Sequence, residues 1–433
     1  MERSLRLNMY AGFFGMLWMC APLGAPLPLL MQSVEASSLQ LGILSAVWQA
    51  AMLAQIPAAF LAEHLARRKP MWAAVTISQR VLWAAPALLP VLLPLHRHLW
   101  PKVLIVCLGV ANLLGNLGNA SWSSWTADLV PPEIAGRFWA TRQRVLSFGL
   151  ILGTALYGWL LDRPTWRDSL TGFQWVFALC AFFGVTDIVI HCFVREPERT
   201  GPRFHLRFFP ALRATLRIPG YLPLTLLMAV WTGAQALVGF TLAMPGFFSM
   251  VHLRENFGAT YSQASLIFIG AALGAALFTG RLGPWMDRAG AVAVLHRLLL
   301  LAPASMTAWW LAAPGSLLLG GREWPTAVLW LSLASLAQGA FFTGTLLCQF
   351  RLTQACTVPE GRTVAMGLHW SVSGVGGALG AFLAGWLKDA LPPGFLPSWL
   401  GHGYFFDLLV LLHLVVTWGV VLPLCRRLAS VMR

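Results

Sequence analysis

The chain is short of charge. Only 11% of its 433 residues are Asp, Glu, Lys or Arg, where an ordinary soluble domain carries about 25%. A water-soluble globular fold is excluded on that ground. Lysine is nearly absent: the basic residues are 27 Arg and 3 Lys, against 16 acids. No G-x-x-x-x-G-K-[ST] loop occurs, which argues against ATP as an energy source. The seven cysteines (Cys20, Cys107, Cys180, Cys192, Cys348, Cys356, Cys425) show no C-x-x-C or Cys/His metal spacing and read as small apolar fillers. No metal, cofactor or catalytic residue is expected. A membrane-embedded lipid enzyme would need a nucleophile, an acid–base pair or a metal cluster at the membrane edge, and the sequence offers none.

What is there is apolar. Residues 7–34, 36–62 and 103–127 contain no charged side chain, and each run exceeds the ~20 residues that cross a hydrocarbon core. Backbone amides in lipid must pair within their own segment, so the runs are expected to be helices. Spans are placed near 9–31, 40–62, 70–95, 103–127, 141–161, 172–194, 220–249, 261–285, 291–313, 325–350, 362–387 and 404–425. The first run is too long for a signal-peptide core and no small-residue cleavage site follows it, so it reads as an uncleaved span.

A net charge of +14 suggests nucleic acid at first sight. The layout favours a topological cause. With an even number of spans both termini share a side, and the loops on that side, with the central loop, hold twenty basic residues against seven opposite. The termini should therefore be cytoplasmic. The central loop, REPERTGPRFHLRFFPALRATLRIP, interleaves arginines with Phe204, Leu206, Phe208, Phe209 and Leu212. It is either an interfacial segment on the anionic inner leaflet or a flexible linker; it divides the chain into 1–194, 195–219 and 220–433.

The two halves repeat each other. Gln40 before span two corresponds to Gln263 before span eight. Glu63 corresponds to Asp287, and Glu133 with Arg137 to Glu360 with Arg362, all offset by about 225 residues. A six-span unit repeated in parallel is a transporter architecture, and here the chain resembles the major facilitator superfamily over essentially its whole length. The family's G-x-x-x-D-x-x-G-R-K-R loop motif is matched between spans eight and nine by Gly283, Asp287, Arg288 and Gly290. Between spans two and three it is degenerate: Ala59 and Ala66 replace glycines and Glu63 the aspartate, while Arg67, Arg68 and Lys69 fit. The resemblance implies an all-α fold of twelve transmembrane helices in two pseudo-symmetric six-helix bundles. It also implies a cytoplasmic gate in which Glu63 approaches Arg362 and Asp287 approaches Arg137–Arg142. Plain topology is the competing reading of these arginines.

Of the sixteen acids only Asp187 lies well inside a span, and intramembrane ionisable groups are functional candidates. At 1.5 Å per residue, Arg80 (eleven residues after Lys69) and Asp187 (eight before Arg195) sit at similar depth on spans three and six. They suit a structural clamp; Asp187 with His191, one turn on, could instead relay protons. The resemblance makes spans one, four, seven and ten line the path. Their polar and aromatic residues are Trp18, then Asn112, Asn116 and Asn119 at helical spacing, Trp231 and Gln235, and Gln338 and Thr343. Neutral amides beside aromatics suit a neutral or weakly polar organic solute, or serve helix packing. Pro22, Pro26 and Pro28 should bend span one. Span five has Gly149, Gly153 and Gly158 but lacks the G-P-x-x-G-G pattern of drug/proton antiporters, which weakens multidrug efflux.

The sequence thus predicts a monomeric secondary active or facilitative transporter of a small organic solute working by alternating access. The solute is expected near mid-membrane between the halves, with H+ or Na+ as candidate coupling ions, in a bacterial inner (plasma) membrane. A non-transporting sensor on the same scaffold is the rival.

Overall fold

The computed structural model describes residues 2–65, 67–166, 170–197, 208–241, 244–357, 362–392, 395 and 402–432. Among these, ten helices are long and apolar enough to cross a membrane, eleven if the bent pair Lys69–Leu82 and Ala85–Leu92 is one span. Tyr221–Leu237 is apolar but shorter. It lies where the seventh span was expected.

Departures from the expected spans have local causes. Span one breaks after Leu23 and resumes as Pro26–Ser33, with proline at the first helical position, where its missing N–H costs nothing. Span three bends by 49° ahead of Pro86 and Pro90, which cannot donate to the preceding turn. Span seven, expected to be continuous over 220–249, is cut. Tyr221–Leu237 is followed by a two-residue strand pair, Phe240–Thr241 against Met244–Pro245, and then by the helix Phe247–Phe257. Gly239 turns the chain at φ +75, and a side chain there would strike the Gly246 carbonyl. Span nine ends at Trp309, and a hairpin of Ser316–Leu319 and Arg322–Pro325 leads into span ten, Thr326–Ala355.

Two compact units emerge. One comprises residues 1–22, 51–216 and 358–371; the other 23–50, 217–357 and 372–433. In the first, Gly149 and Gly153 of span five lie against Phe13, Leu17 and Cys20 of span one; a Cβ on Gly153 would strike the Cys20 sulfur, and one on Gly149 would be tight against Phe13. Gly115 of span four likewise receives Gln79 of span three.

In the second unit spans eight (Tyr261–Ala289) and ten are packed backbone to backbone: a Cβ on Gly274 would overlap the Leu336 carbonyl, and one on Gly339 the Ala271 carbonyl. Gly274→Val is therefore expected to cost about 1–3 kcal/mol or more, since the obstacle is main chain and cannot swing aside. Gly283→Ala, on the same helix with open space around it, should be near neutral; paired thermal unfolding of the two variants checks this.

Both halves of the sequence repeat carry the same helix start. Ser37 N–H donates to Gln40 Oε1 (2.9 Å) while Gln40 N–H donates to Ser37 Oγ (3.1 Å). Thr260 and Gln263 exchange the corresponding bonds at 2.9 and 3.3 Å. Each is a reciprocal capping box that satisfies two otherwise orphaned amides, which accounts for glutamine at both 40 and 263.

Candidate functional site

Asp187 sits in the first unit, 5% exposed, at the centre of a chain of hydrogen bonds. Arg80 Nη2 donates to its Oδ2 at 3.2 Å. His191 Nδ1 lies 2.9 Å from its Oδ1. Asn8 of span one holds His191 Nε2 at 3.3 Å through its amide nitrogen, and its amide oxygen accepts from Arg142 Nε of span five at 2.9 Å. Arg80 Nη1 continues the chain to Gln79 Oε1 at 3.1 Å. The polarity is determined throughout. Because Asn8 accepts from Arg142, it donates to His191; the imidazole then accepts at Nε2 and donates from Nδ1 to Asp187.

Aromatic rings enclose this chain. The Arg80 guanidinium lies 3.4 Å from the Trp18 ring centroid, and Trp72, Trp122 and Trp125 surround His191. Position 15 must be glycine, since a Cβ there would come within 2.9 Å of Asp187 Oδ2. Sequence depth pairs Arg80 with Asp187 but misses Asn8 and Arg142, whose places near span ends make them look like ordinary boundary residues.

The amides of span four (Trp100–Leu129) divide into two roles. Asn112 is buried. Asn116 Oδ1 accepts from Gln55 Nε2 of span two at 2.8 Å, and Asn119 is exposed. Three other expected lining residues are occupied inside their units. Trp18 carries Arg80. Trp231 is 2% exposed, stacks with Phe342 and meets the His413 ring at a tilt. Gln338, fully buried, donates to the Ser305 carbonyl of span nine at 3.0 Å. Gln235 is 9% exposed and Thr343 half-buried.

The loop charges pair within units. Arg68, 2% exposed, binds Asp128 Oδ2 at the end of span four (2.8 Å) and Glu196 Oε1 (3.5 Å). Glu196 also accepts the Arg68 and Lys69 N–H groups at the start of span three (2.8 and 3.3 Å), where a carboxylate favours the helix dipole. Lys69 Nζ donates to the Cys192 and Val194 carbonyls. In the second unit Asp287 accepts from Arg351 of span ten at 2.7 Å. The two units thus tie the loop after their second repeat helix to the end of their fourth, with the charges exchanged. Arg67 and Arg137 are exposed, and Arg288 Nε donates to the Pro284 carbonyl. Gly290 turns the chain at φ +80, a backbone suited to glycine, while Gly283 has room for a side chain. The side chains of Glu63, Glu133 and Arg362, and residue Glu360, lie outside the described residues.

A separate polar cluster in the second unit joins parts distant in sequence. Glu255 accepts from Gln32 Nε2 (3.2 Å) and Lys388 Nζ (2.8 Å). Asp389 accepts the backbone N–H groups of Ser38 (3.1 Å) and Leu39 (2.8 Å), capping span two. Below it Gly42 and Gly385 meet with no room for a Cβ on either. Among the described residues, no group of three or more His, Cys, Asp or Glu is placed to hold a metal ion.

A sequence profile of the Major Facilitator Superfamily matches residues 8–253, more than half of the chain. The chain belongs to the major facilitator superfamily. It is a membrane transporter of that family. No curated protein matches the sequence. Solved structures share the fold at low identity. The nucleoside transporter NupG superposes with a TM-score of 0.64 at 14% identity, covering 100% of both chains. A D-xylose-proton symporter gives 0.65 at 14%, covering 96% of each. A bacterial homologue of the iron transporter ferroportin, in an inward-facing state, gives 0.67 at 15%, covering 99% of this chain and 98% of that one.

Proposed function

We propose that this transporter moves a small, neutral, polar organic solute by alternating access, as twelve passes in two six-helix halves (1–194 and 220–433) joined by 195–219. The broken seventh segment, Tyr221–Leu237 with Phe247–Phe257, supplies the twelfth pass. The observation that carries the solute class is the contrast within the first unit. Its buried ion pair within the spans, Arg80 with Asp187, is satisfied internally, while on span four Asn119 is exposed and the half-buried Asn116 bonds only neutral partners, Gln55 and the Asn112 carbonyl. Amides both donate and accept, which fits hydroxyls, amides or bases rather than an ion.

The twenty-to-seven charge bias supports cytoplasmic termini in a bacterial inner membrane. On that orientation Glu255, Lys388, Gln32 and Asp389 lie on the outer side and form an outer clasp, and the Arg68 and Asp287 clusters lie at the cytoplasmic face. The Arg80–Asp187–His191 group reads as a structural clamp. Two arginines face Asp187, directly and through His191 and Asn8, so its carboxylate is held by groups fixed within the unit. Catalysis has no assigned place in this scheme, and the working unit is a monomer.

Thermal unfolding of the purified protein against a metabolite library tests the reading. A neutral polar solute at 100 times its dissociation constant should stabilise the protein by about 2.7 kcal/mol. Asn119→Ala should reduce or abolish that shift without lowering stability in its absence, and Asn116→Ala should do so at a cost of about 1 kcal/mol for the lost Gln55 bond. Stabilisation by charged solutes alone, or a shift that survives both substitutions, refutes the amide site.

A further inference from the structure

We propose that the first unit binds a small monatomic anion of the chloride class between Trp18 and Arg80. The ion pair with Asp187 leaves part of Arg80 over. Its Nη2 donates to Asp187 Oδ2 at 3.2 Å and its Nη1 to Gln79 Oε1 at 3.1 Å. Its Nε–H is buried and has no acceptor among the described residues. The indole Nε1–H of Trp18 is in the same position, and its ring centroid lies 3.4 Å from the guanidinium carbon. The two residues are 9% and 3% exposed. The carbons that carry these nitrogens meet at one point of span six: a Cβ on Gly184 would lie 2.6 Å from Arg80 Cδ and 2.8 Å from Trp18 Cδ1. Two orphaned donors, one of them on a cation, thus sit together beside Gly184.

Charge points the same way. The chain of hydrogen bonds through Asp187 contains two guanidinium groups, Arg80 and Arg142, and one carboxyl group. Arginine does not lose its proton in proteins, so positive charge is in excess. An uncompensated charge is costly at low dielectric. The Trp18 ring covers the face of the Arg80 guanidinium without supplying a counter-charge. A water would accept from the two donors but would have to place two hydrogens of its own. An anion accepts from both and offsets the excess. The close approach of span six restricts it to a compact ion.

The anion is distinct from the solute, and the inference does not rest on the amide site, so failure of either leaves the other intact. Thermal unfolding of the full-length protein in detergent is measured in sodium chloride, bromide and gluconate at one ionic strength. Chloride and bromide should stabilise saturably, lowering the unfolding constant by about a hundredfold at 100 times the dissociation constant, and gluconate should not. Trp18→Phe keeps a ring over Arg80 and removes the donor. It should weaken chloride binding by about tenfold or more, the worth of one hydrogen bond to a charged partner, and leave stability in gluconate unchanged. Trp309→Phe, which removes an orphaned indole N–H of the second unit, should keep the chloride dependence. Equilibrium dialysis with radiolabelled chloride reads the site without unfolding, and bromide but not gluconate should displace the label. Equal stability in the three salts, a salt effect that does not saturate, no displaceable label, or a chloride dependence that survives Trp18→Phe overturns the proposal.

Discussion

Asp187→Ala is expected to cost about 3–5 kcal/mol, the penalty for leaving one partner of a buried ion pair without the other. The carboxylate is 7% exposed and its Arg80 partner 11%, so water cannot take over its role. Removing it orphans three groups together: Arg80, held between Trp18 and Gln79; His191, which loses the acceptor for its Nδ1 proton; and, through Asn8, the register of Arg142 on span five. Span six would then lose its ion pair with span three, and the bonds that run through His191 and Asn8 to spans one and five would slacken. Replacing both charges, Arg80→Met with Asp187→Leu, should restore part of the loss, because apolar substitution of a whole buried pair is often neutral. Thermal unfolding in detergent reads both variants. A single substitution with unchanged stability refutes the clamp. If Asp187 moves protons instead, Asp187→Asn should spare stability and remove only the pH dependence of transport.

The buried ion pair and the layout of the spans differ in how far the sequence displays them. Charge-free runs reveal spans because lipid leaves the backbone no alternative to helix, and Pro22, Pro26 and Pro28 announce the break in span one. The cut in span seven is hidden. Residues 221–253 stay uncharged throughout, and Gly239 and Gly246 are two glycines among 40; only the backbone turn distinguishes them. Depth along a helix follows from residue counting, which brings Arg80 to Asp187. Direction around a helix depends on neighbours, so Gln338, plausible as a path residue, faces span nine instead. Arg142 counts as a topology arginine until Asn8 is seen to receive it. The glutamines of the repeat are legible once their chemistry is known: Gln40 and Gln263 match because each closes a capping box.

Bridging Gln32 to Glu255 is expected to stop transport altogether. The magnitudes of the ties suggest why this is the place to lock. Lys388 and Glu255 are 25% and 39% exposed, and an exposed pair contributes only about 0–1 kcal/mol. Such a contact can break and re-form in every cycle, whereas the buried Arg80–Asp187 pair costs several kcal/mol to separate. The clasp nevertheless gathers the end of span one, the start of span two, the end of the seventh segment and the end of span eleven through Gln32, Ser38, Glu255, Lys388 and Asp389. Alternating access requires these ends to part. Glu255→Ala alone should therefore alter stability little and transport modestly. Gln32→Cys with Glu255→Cys, joined by a short bis-maleimide in a Cys192→Ser background (Cys192 is exposed), should reduce uptake of the stabilising solute to that of protein-free vesicles. A cleavable linker should return transport on cleavage, and each single cysteine treated alike should keep it. Full transport with the bridge in place would mean that these ends stay together through the cycle, and the proposed clasp would not be a gate.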